Sequence, residues 1–289
     1  MRRIASIVLA VVLTSISFAA WRTPAAAEGD GESLDDLQAR LEALVDDYPV
    51  AGEYAVAVTD LQTGETIAVN GDRPQLSACS INLMVILQAT LDVRAGRLKQ
   101  APIDDLIART VYSSNPVTGR ELYSLVGRGD VLRGLRRVNA LIGRIGMDDT
   151  VLDHPPSYGR ESLKVNPNNW LTARDTNRAL EWLWEAEELG VPWRDHVLDL
   201  MTGVKPGLNY LTAIAPGVVS HKNGFFPALD GTYVDNDVAI VRFEHGGHHF
   251  AYAISFFSQW VPRKYDDIPL GQRIVGEVSD FFQARYAER

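Results

Sequence analysis

The chain has 289 residues with 28 basic and 37 acidic side chains, so its formal charge at pH 7 is −9. This surplus of acidic residues argues against nucleic acid or an anionic membrane surface as a binding partner. The single cysteine excludes an intramolecular disulfide, so the folded state must be stabilised by its hydrophobic core.

The first 27 residues have the layout of a secretory signal peptide. A short basic start precedes an almost uncharged apolar run over residues 4–20, and alanines 25–27 offer small residues for cleavage. The run is on the short side for a bilayer span, which disfavours a membrane anchor. Removal of residues 1–27 would take away three arginines and no acid, giving a formal charge of −12. We therefore expect a mature domain, residues 28–289, that is secreted, periplasmic or in the cell envelope without membrane contact.

The elements that follow have an α/β/α order along the chain. Ser33 caps a helix over residues 33–47, and alternating residues at 53–59 and 66–70 predict a hairpin broken at Thr63-Gly64. Helical periodicity then dominates, with pieces near 79–95, 103–110, 118–126, 129–145, 172–187 and 193–202. Strand patterns return at 216–222, 235–243 and 249–257, before a last amphipathic helix at about 269–286.

Strands at both ends of the chain with helices between them predict an α/β (α+β) fold. The five strands would form one antiparallel sheet, with the helices 33–47 and 269–286 packed on it. This α/β lobe would consist of residues 33–75 and 210–289. Residues 76–209 would form an all-helical lobe, leaving a cleft between the two lobes.

Several local motifs occur in an order that resembles a known enzyme family. They are "SACSINLMVI" (77–86), Ser113-Ser114-Asn115, "VNALIGRIGMDDT" (138–150), "NNWLTARDTNRALEWL" (168–183) and His221-Lys222-Asn223-Gly224. Together with the element order, they resemble the penicillin-recognising serine hydrolases, closest to the class A β-lactamases. The resemblance covers almost all of residues 33–289 and implies a β-lactamase-like fold.

The resemblance places unusual residues at the two central catalytic positions. Cys79 lies at the position of the nucleophilic serine, and Asn82 at that of the lysine that activates it. A second register makes Ser80 the nucleophile, with Leu83 in place of the lysine. The first register is favoured because the hydrophobic periodicity of this helix should fix which side faces the core.

Other parts of the site are also implied by the resemblance. Lys222 would be the cation across the cleft, and Ser113 would conduct a proton to the leaving group. The backbone N–H groups of Cys79 and Phe225 would form an oxyanion hole. The implied substrate-binding positions are Asn115, Asn223 and Gly224.

The exchange of serine for cysteine makes the loss of the lysine chemically coherent. A serine hydroxyl needs an adjacent base at neutral pH, whereas a thiol ionises far more readily, especially near a cation or a helix N-terminus. Asn82 could still hydrogen-bond the thiolate or the acyl carbonyl. The alternative is that Cys79 is only a small buried hydrophobic residue and that Asn115 only caps a helix.

The loop that carries the water-activating glutamate of β-lactamases also departs from the family pattern. The corresponding stretch is "LDHPPSYGRESLKVN", residues 152–166, and a strict alignment places Pro156 at the glutamate. Glu161 is a weak candidate for the water-activating base, and Asn166 lies nearby. Efficient penicillinase activity is therefore not expected.

No cofactor is predicted. Three histidines near Gly246-Gly247 belong to a hairpin whose turn would splay them, which disfavours a zinc site. The favoured function is a monomeric thiol-dependent acyltransferase or hydrolase that acts on a small molecule or a cell-envelope peptide. The alternatives are a catalytically silent binding protein and a true β-lactamase that uses Ser80.

Overall fold

The structure is a computed structural model, and it describes residues 32–156 and 161–287. The predicted signal peptide, residues 1–27, lies outside the described residues. The chain divides into Met1–Gly31 and Glu32–Arg289, and every element below belongs to the second unit. No helix within the described ranges is long and apolar enough to cross a membrane.

Two-residue strands at Gln75–Leu76 and Trp170–Leu171 pair with each other in a small separate sheet, and five longer strands form the antiparallel sheet that the sequence predicts. The five strands are β1 (Glu53–Asp60), β2 (Thr66–Val69), β3 (Val218–Pro227), β4 (Tyr233–His245) and β5 (His248–Val261). Their order in the sheet is β2-β1-β5-β4-β3, so both ends of the chain contribute. This arrangement confirms the predicted fold class and leaves β3 at one edge.

The edge strand β3 is longer than predicted. The pattern indicated a strand over residues 216–222, but pairing with β4 continues through Gly224, which lies opposite Asn236, and Phe225, which lies opposite Asp235. Glycine weakens strand interiors, but pairing with β4 keeps Gly224 within the strand. Lys222 and Gly224 therefore lie within a regular strand.

The helices close to the predicted positions are present. They are α1 (Leu34–Asp46), α2 (Asn82–Arg94), α3 (Gln100–Ser113), α4 (Pro116–Val126), α5 (Val131–Ile145), α6 (Ala173–Glu185), α7 (Val191–Leu200) and α8 (Ile268–Ala287). Ser33 caps α1 and forms a capping box with Asp36, as its position before an acidic turn predicts. α2 is the central helix, because every side chain from Asn82 to Val93 is buried.

The sheet separates two hydrophobic clusters, and successive side chains of β1 point alternately to one cluster and to the other. Val56 and Val58 point to the cluster formed with α1 and α8, whereas Ala55 and Ala57 point to the cluster that contains α2. This follows from the alternation of side chains along a strand. The small alanine side chains allow the helices of the second cluster to approach the sheet closely.

Candidate active site

Cys79 lies in a short 3-10 turn, Ala78–Ile81, that runs directly into α2. Its side chain is half-buried and forms no disulfide. The preceding residue, Ala78, has a φ of +45°, in the left-handed region that residues other than glycine rarely occupy. Such backbone strain is often found at functional sites. The thiol is thus presented at the start of the central helix by a strained turn.

Ser80, the alternative nucleophile, is placed differently. Its side chain is 1% exposed, and its hydroxyl donates a hydrogen bond to the carbonyl oxygen of Ser77 inside the same turn. Hydrophobic periodicity does not decide between the two registers, because α2 is buried on all sides and has no polar face. Cys79 and Ser80 differ instead in exposure and hydrogen bonding, since Cys79 is half-buried whereas Ser80 is buried and hydrogen-bonded.

Lys222 and Ser114 form a hydrogen-bonded pair across the site. Lys222 on β3 is fully buried, and its Nζ lies 2.7 Å from Ser114 Oγ and also donates to the carbonyl oxygen of Asn223. Ser114 Oγ in turn lies 3.0 Å from that carbonyl oxygen and donates to it. A buried lysine is therefore linked to a half-buried hydroxyl group.

The structure does not support the predicted proton-conducting role of Ser113, because Ser114 and not Ser113 contacts Lys222. Ser113 is the last residue of α3, and its hydroxyl bonds back to the carbonyl oxygen of Arg109, 3.4 Å away. Ser114 ends the helix with a left-handed φ of 51°, which turns its side chain toward β3. Asn115 caps α4, since its Oδ1 accepts from the backbone N–H of Val117 at 2.9 Å.

Burial lowers the pKa of Lys222 to about 8, although Cys79 and Asp237 both favour its charged form. Lys222 is thus largely protonated at pH 7 but loses its charge within the range in which enzymes are commonly assayed. A group of this pKa can both supply positive charge and deliver a proton near neutral pH.

Lys222→Met should raise the free energy of unfolding at pH 7 by roughly 1–3 kcal/mol, because the burial penalty of the ammonium group is then absent. Between pH 8 and about 10.5 the unfolded state holds a proton that the folded state has released, so wild-type stability should rise with pH in this window. Urea unfolding at pH 7 and pH 10 should therefore show a smaller gain at pH 10. An equal gain at both values, or a loss at pH 7, would contradict this assignment.

Gly224 brings β3 against the turn that carries Cys79. A Cβ atom at this position would lie 2.6 Å from the backbone nitrogen of Ser80 and 2.7 Å from that of Cys79. Atoms of a real side chain do not approach backbone nitrogens so closely, so only glycine permits this contact. The close approach aligns the edge strand with the start of α2.

Asn223 points away from Lys222, as alternation along β3 requires. On that opposite face His221 Nδ1 lies 2.9 Å from Asp237 Oδ1. Asn223 is 2% exposed, and neither atom of its amide has a hydrogen-bond partner among the described residues. The side chain of Asn223 does not point toward Lys222. The structure therefore does not support the predicted substrate-binding role of Asn223.

Phe225 follows Gly224 and is half-buried at the edge of the sheet. Its ring stacks on Tyr233 with the ring centroids 6.1 Å apart and lies 5.6 Å from Tyr265. The ammonium group of Lys264 lies 5.2 Å from the centre of the Phe225 ring. Its side chain therefore belongs to an aromatic cluster, and only its backbone N–H remains for the predicted oxyanion hole.

Two buried polar side chains without partners lie in the helices behind Cys79. Asn82 is fully buried, and its amide has no hydrogen-bond partner among the described residues. It lies against Gly119 of α4, where a Cβ atom would be 2.7 Å from its Nδ2. The hydroxyl of Tyr123, one turn further along α4, is also buried and has no partner within the described part of the chain.

These two groups set a polar environment next to the thiol. Burial raises the pKa of Tyr123, and Cys79 acts in the same direction. Tyr123 therefore remains a neutral hydrogen-bond donor at physiological pH. Unsatisfied buried polar groups each cost about 1–3 kcal/mol, and they are uncommon unless they have a function or bind water.

The described parts of the loop that corresponds to the glutamate loop of β-lactamases, residues 152–156 and 161–166, place the weak candidate Glu161 in an ion pair. The Glu161 carboxylate pairs with Arg120 of α4, and the Arg120 guanidinium lowers the pKa of Glu161. Asn166 Oδ1 accepts from Trp170 Nε1 at 3.2 Å and from the backbone N–H of Asn168 at 3.0 Å. Both side chains are thus committed to contacts within the loop or with α4. Pro156, the strict counterpart of the glutamate, has no basic group.

Three residues that contribute to this site were not predicted from the sequence: Ser114, Gly119 and Tyr123. The Asn-Pro pair after Ser114 is a helix-start signal that could have shown Ser113 to be the helix end and Ser114 the turn. A glycine within a predicted helix indicates close approach, which applies to Gly119. Nothing local distinguishes Tyr123 from an ordinary core tyrosine.

The sheet, its two flanking helices and the helical lobe together define the β-lactamase fold. Residues 99–281, more than half of the chain, match the model of the beta-lactamase enzyme family. The chain therefore belongs to the beta-lactamase enzyme family. The matched range includes Ser114 and Lys222 but begins after Cys79.

Solved structures share this fold at low sequence identity. A beta-lactamase from Chitinophaga pinensis is 20% identical, with 85% of this chain and 98% of that chain covered and a TM-score of 0.71. The TLA-3 extended-spectrum beta-lactamase is 18% identical, with 86% and 99% covered and a TM-score of 0.71. A mutant of PBP-A in an acyl-enzyme complex with penicillin G is 18% identical, with 86% and 97% covered and a TM-score of 0.67. A comparison with curated proteins gave no match.

Proposed function

We propose that this protein is a thiol-dependent acyl-transfer enzyme or hydrolase with Cys79 as its nucleophile. The observation that carries the proposal is that Cys79 presents a half-buried thiol where the edge strand meets the central helix. Ser80, by contrast, is buried with its hydroxyl already bonded to Ser77. The substrate class we propose is an amide, an ester or a cell-wall-type peptide.

In the first step, the Cys79 thiolate attacks the carbonyl carbon and forms a C–S bond, and the carbonyl electrons move to oxygen. The backbone N–H groups of Cys79 and Phe225 would stabilise this oxyanion. The close packing of Gly224 against the nitrogen of Cys79 supports the idea that both N–H groups serve one site.

Collapse of the tetrahedral intermediate breaks the bond to the leaving amine or alkoxide, which must then take up a proton. Lys222 supplies that proton through Ser114, whose hydroxyl accepts from the ammonium group at 2.7 Å. The lowered pKa of Lys222, about 8, suits a group that must give up a proton near neutral pH. Attack by water, an amine or a thiol on the thioester then releases the acyl group and restores the thiol.

Asn82 and Tyr123 would act as neutral groups that position the sulfur and the acyl carbonyl. Both are buried and unpartnered, so a hydrogen bond to the reacting group would not have to replace an existing one. Asn82 cannot serve as the base that a serine nucleophile needs, because an amide does not accept a proton near neutral pH. The proposed mechanism therefore depends on a thiol that ionises without a neighbouring base.

β-Lactam hydrolysis by the purified domain should be absent or very slow. The family's activating lysine is replaced by Asn82, and Glu161 is paired with Arg120. A chromogenic cephalosporin assay measures this directly. Turnover at ordinary enzyme rates, roughly 1–1000 per second, would mean that the loop or the register has been assigned wrongly.

Iodoacetamide should alkylate Cys79 faster than a free model thiol at pH 7, because the charge of Lys222, with which Cys79 interacts, activates the sulfur. Lys222→Ala should slow this reaction roughly three- to tenfold. Lys99→Ala, which removes one exposed charge elsewhere, is the matched control and should have no effect. The advantage over the free thiol should decline above about pH 8, where Lys222 loses its proton. An inert thiol, or equal rates in all three proteins, would refute the thiolate mechanism.

A second candidate function is a catalytically silent binding protein that uses the same site for a carboxylated ligand or a cell-envelope partner. The neutral Asn82 at the position of the activating base favours it. Export of the mature domain after residue 27 is proposed for either function, on the pattern of the N-terminal 27 residues.

A further inference from the structure

We propose that a pocket on the helical lobe binds a small polyvalent oxyanion of the phosphate type. The pocket has a volume of about 380 Å³ and lies between the C-terminal end of α2 and one face of α5. The polar and charged residues that line it are Gln88, Arg94, Arg97, Arg137, Arg144 and Glu188. This inference is independent of the chemistry proposed for Cys79.

The inner wall is held in place by a buried carboxylate. Asp92 is 1% exposed and accepts from Arg137 Nη2 at 2.7 Å and from Arg97 Nε at 2.8 Å. Gln88 Nε2 also donates to Asp92 Oδ1, at 3.1 Å. Two guanidinium groups are therefore fixed before any ligand arrives, which reduces the entropy lost on binding.

The outer wall consists of two exposed arginines that share one partner. Arg144 Nη2 lies 3.1 Å from the Glu188 carboxylate, and Arg94 donates to the Glu188 carbonyl oxygen. Each guanidinium carries five N–H donors in a planar fork, and these contacts use only part of them. Donors from both walls remain to bind an anion within the pocket.

The local charge favours an anion although the chain as a whole is acidic. Four guanidinium groups face two carboxylates, Asp92 and Glu188. The C-terminal end of α2 adds a partial negative charge of about one half, which the excess of two positive charges exceeds. Paired guanidinium forks match the geometry of phosphate oxygens, and a pocket of this size admits a diphosphate group.

Isothermal titration of the mature protein with inorganic diphosphate at low ionic strength tests the proposal. We expect one binding site per chain, with an affinity that falls as salt is added. The double variant Arg94→Gln/Arg144→Gln should weaken binding at least tenfold, because it removes the outer wall and leaves the buried Asp92 network intact. Circular dichroism checks that the variant is folded.

The matched control is Arg109→Gln/Arg174→Gln, which removes the same charge from exposed sites paired with Asp105 and Asp72. It should change the affinity less than twofold. No binding of diphosphate by the wild-type protein would overturn the proposal. An equal loss in both double variants would also overturn it, because the anion would then respond only to the overall charge.

Discussion

Gly224→Ala should abolish the proposed acyl transfer and destabilise the fold. The new Cβ atom would lie 2.6 Å from the backbone nitrogen of Ser80, so β3 must move away from the turn that carries Cys79. We expect the free energy of unfolding to fall by roughly 2–4 kcal/mol. A displacement of about 1 Å at a reacting group lowers rates by about a hundredfold, so acylation should fall by at least that factor. Urea unfolding and a thioester-cleavage assay measure the two effects.

Gly143→Ala is the matched control for this variant. Gly143 lies within α5, and a Cβ atom there would meet nothing within 4 Å. Alanine should therefore raise stability by about 0.5–1 kcal/mol and leave acyl transfer unchanged. If Gly224→Ala retains wild-type stability and activity, β3 and the turn are not held together as the structure indicates.

Cys79→Ser should reduce acyl transfer to a thioester or activated ester by roughly 100-fold or more. The substitution changes one atom and keeps the shape of the side chain, so the fold should be unaffected. The hydroxyl needs a base, and Asn82 offers none. Steady-state rates of thioester cleavage, with circular dichroism of the folded protein, provide the measurement.

Ser80→Ala serves as the comparison for Cys79→Ser. The Ser80 hydroxyl bonds to Ser77 within the turn, so its loss should change stability slightly and leave the rate within about twofold of wild type. The reverse pattern, with Ser80→Ala inactive and Cys79→Ser active, would establish the alternative register.

The fold was predictable because strong local patterns determine it. Alternation at residues 53–59 and 66–70, and again in the C-terminal third, showed strands at both ends of the chain, and one sheet accommodates them. Boundaries were less predictable: β3 continues to Pro227 because pairing with β4 outweighs the presence of Gly224. Pairing with a distant strand is not visible in a local pattern.

The site was predictable only in part. The correct neighbourhood followed from the motif order, but the exact end of α3 decides that Ser114, the residue after the helix, turns toward Lys222 in place of Ser113. The register of Cys79 could not follow from periodicity, since the helix behind it is buried on every side. A role for the Tyr123 hydroxyl can be recognised only in the folded protein, where α4 lies behind the Cys79 thiol.

In the proposed mechanism the sulfur of Cys79 carries an acyl group. Intact-mass measurement after incubation with a simple thioester and with a penicillin, followed by peptide mapping, tests it most directly. We expect one acyl group per chain on the peptide that contains Cys79, present in Ser80→Ala and absent in Cys79→Ala. An adduct that persists in Cys79→Ala, or no adduct on a folded wild-type protein, would contradict it.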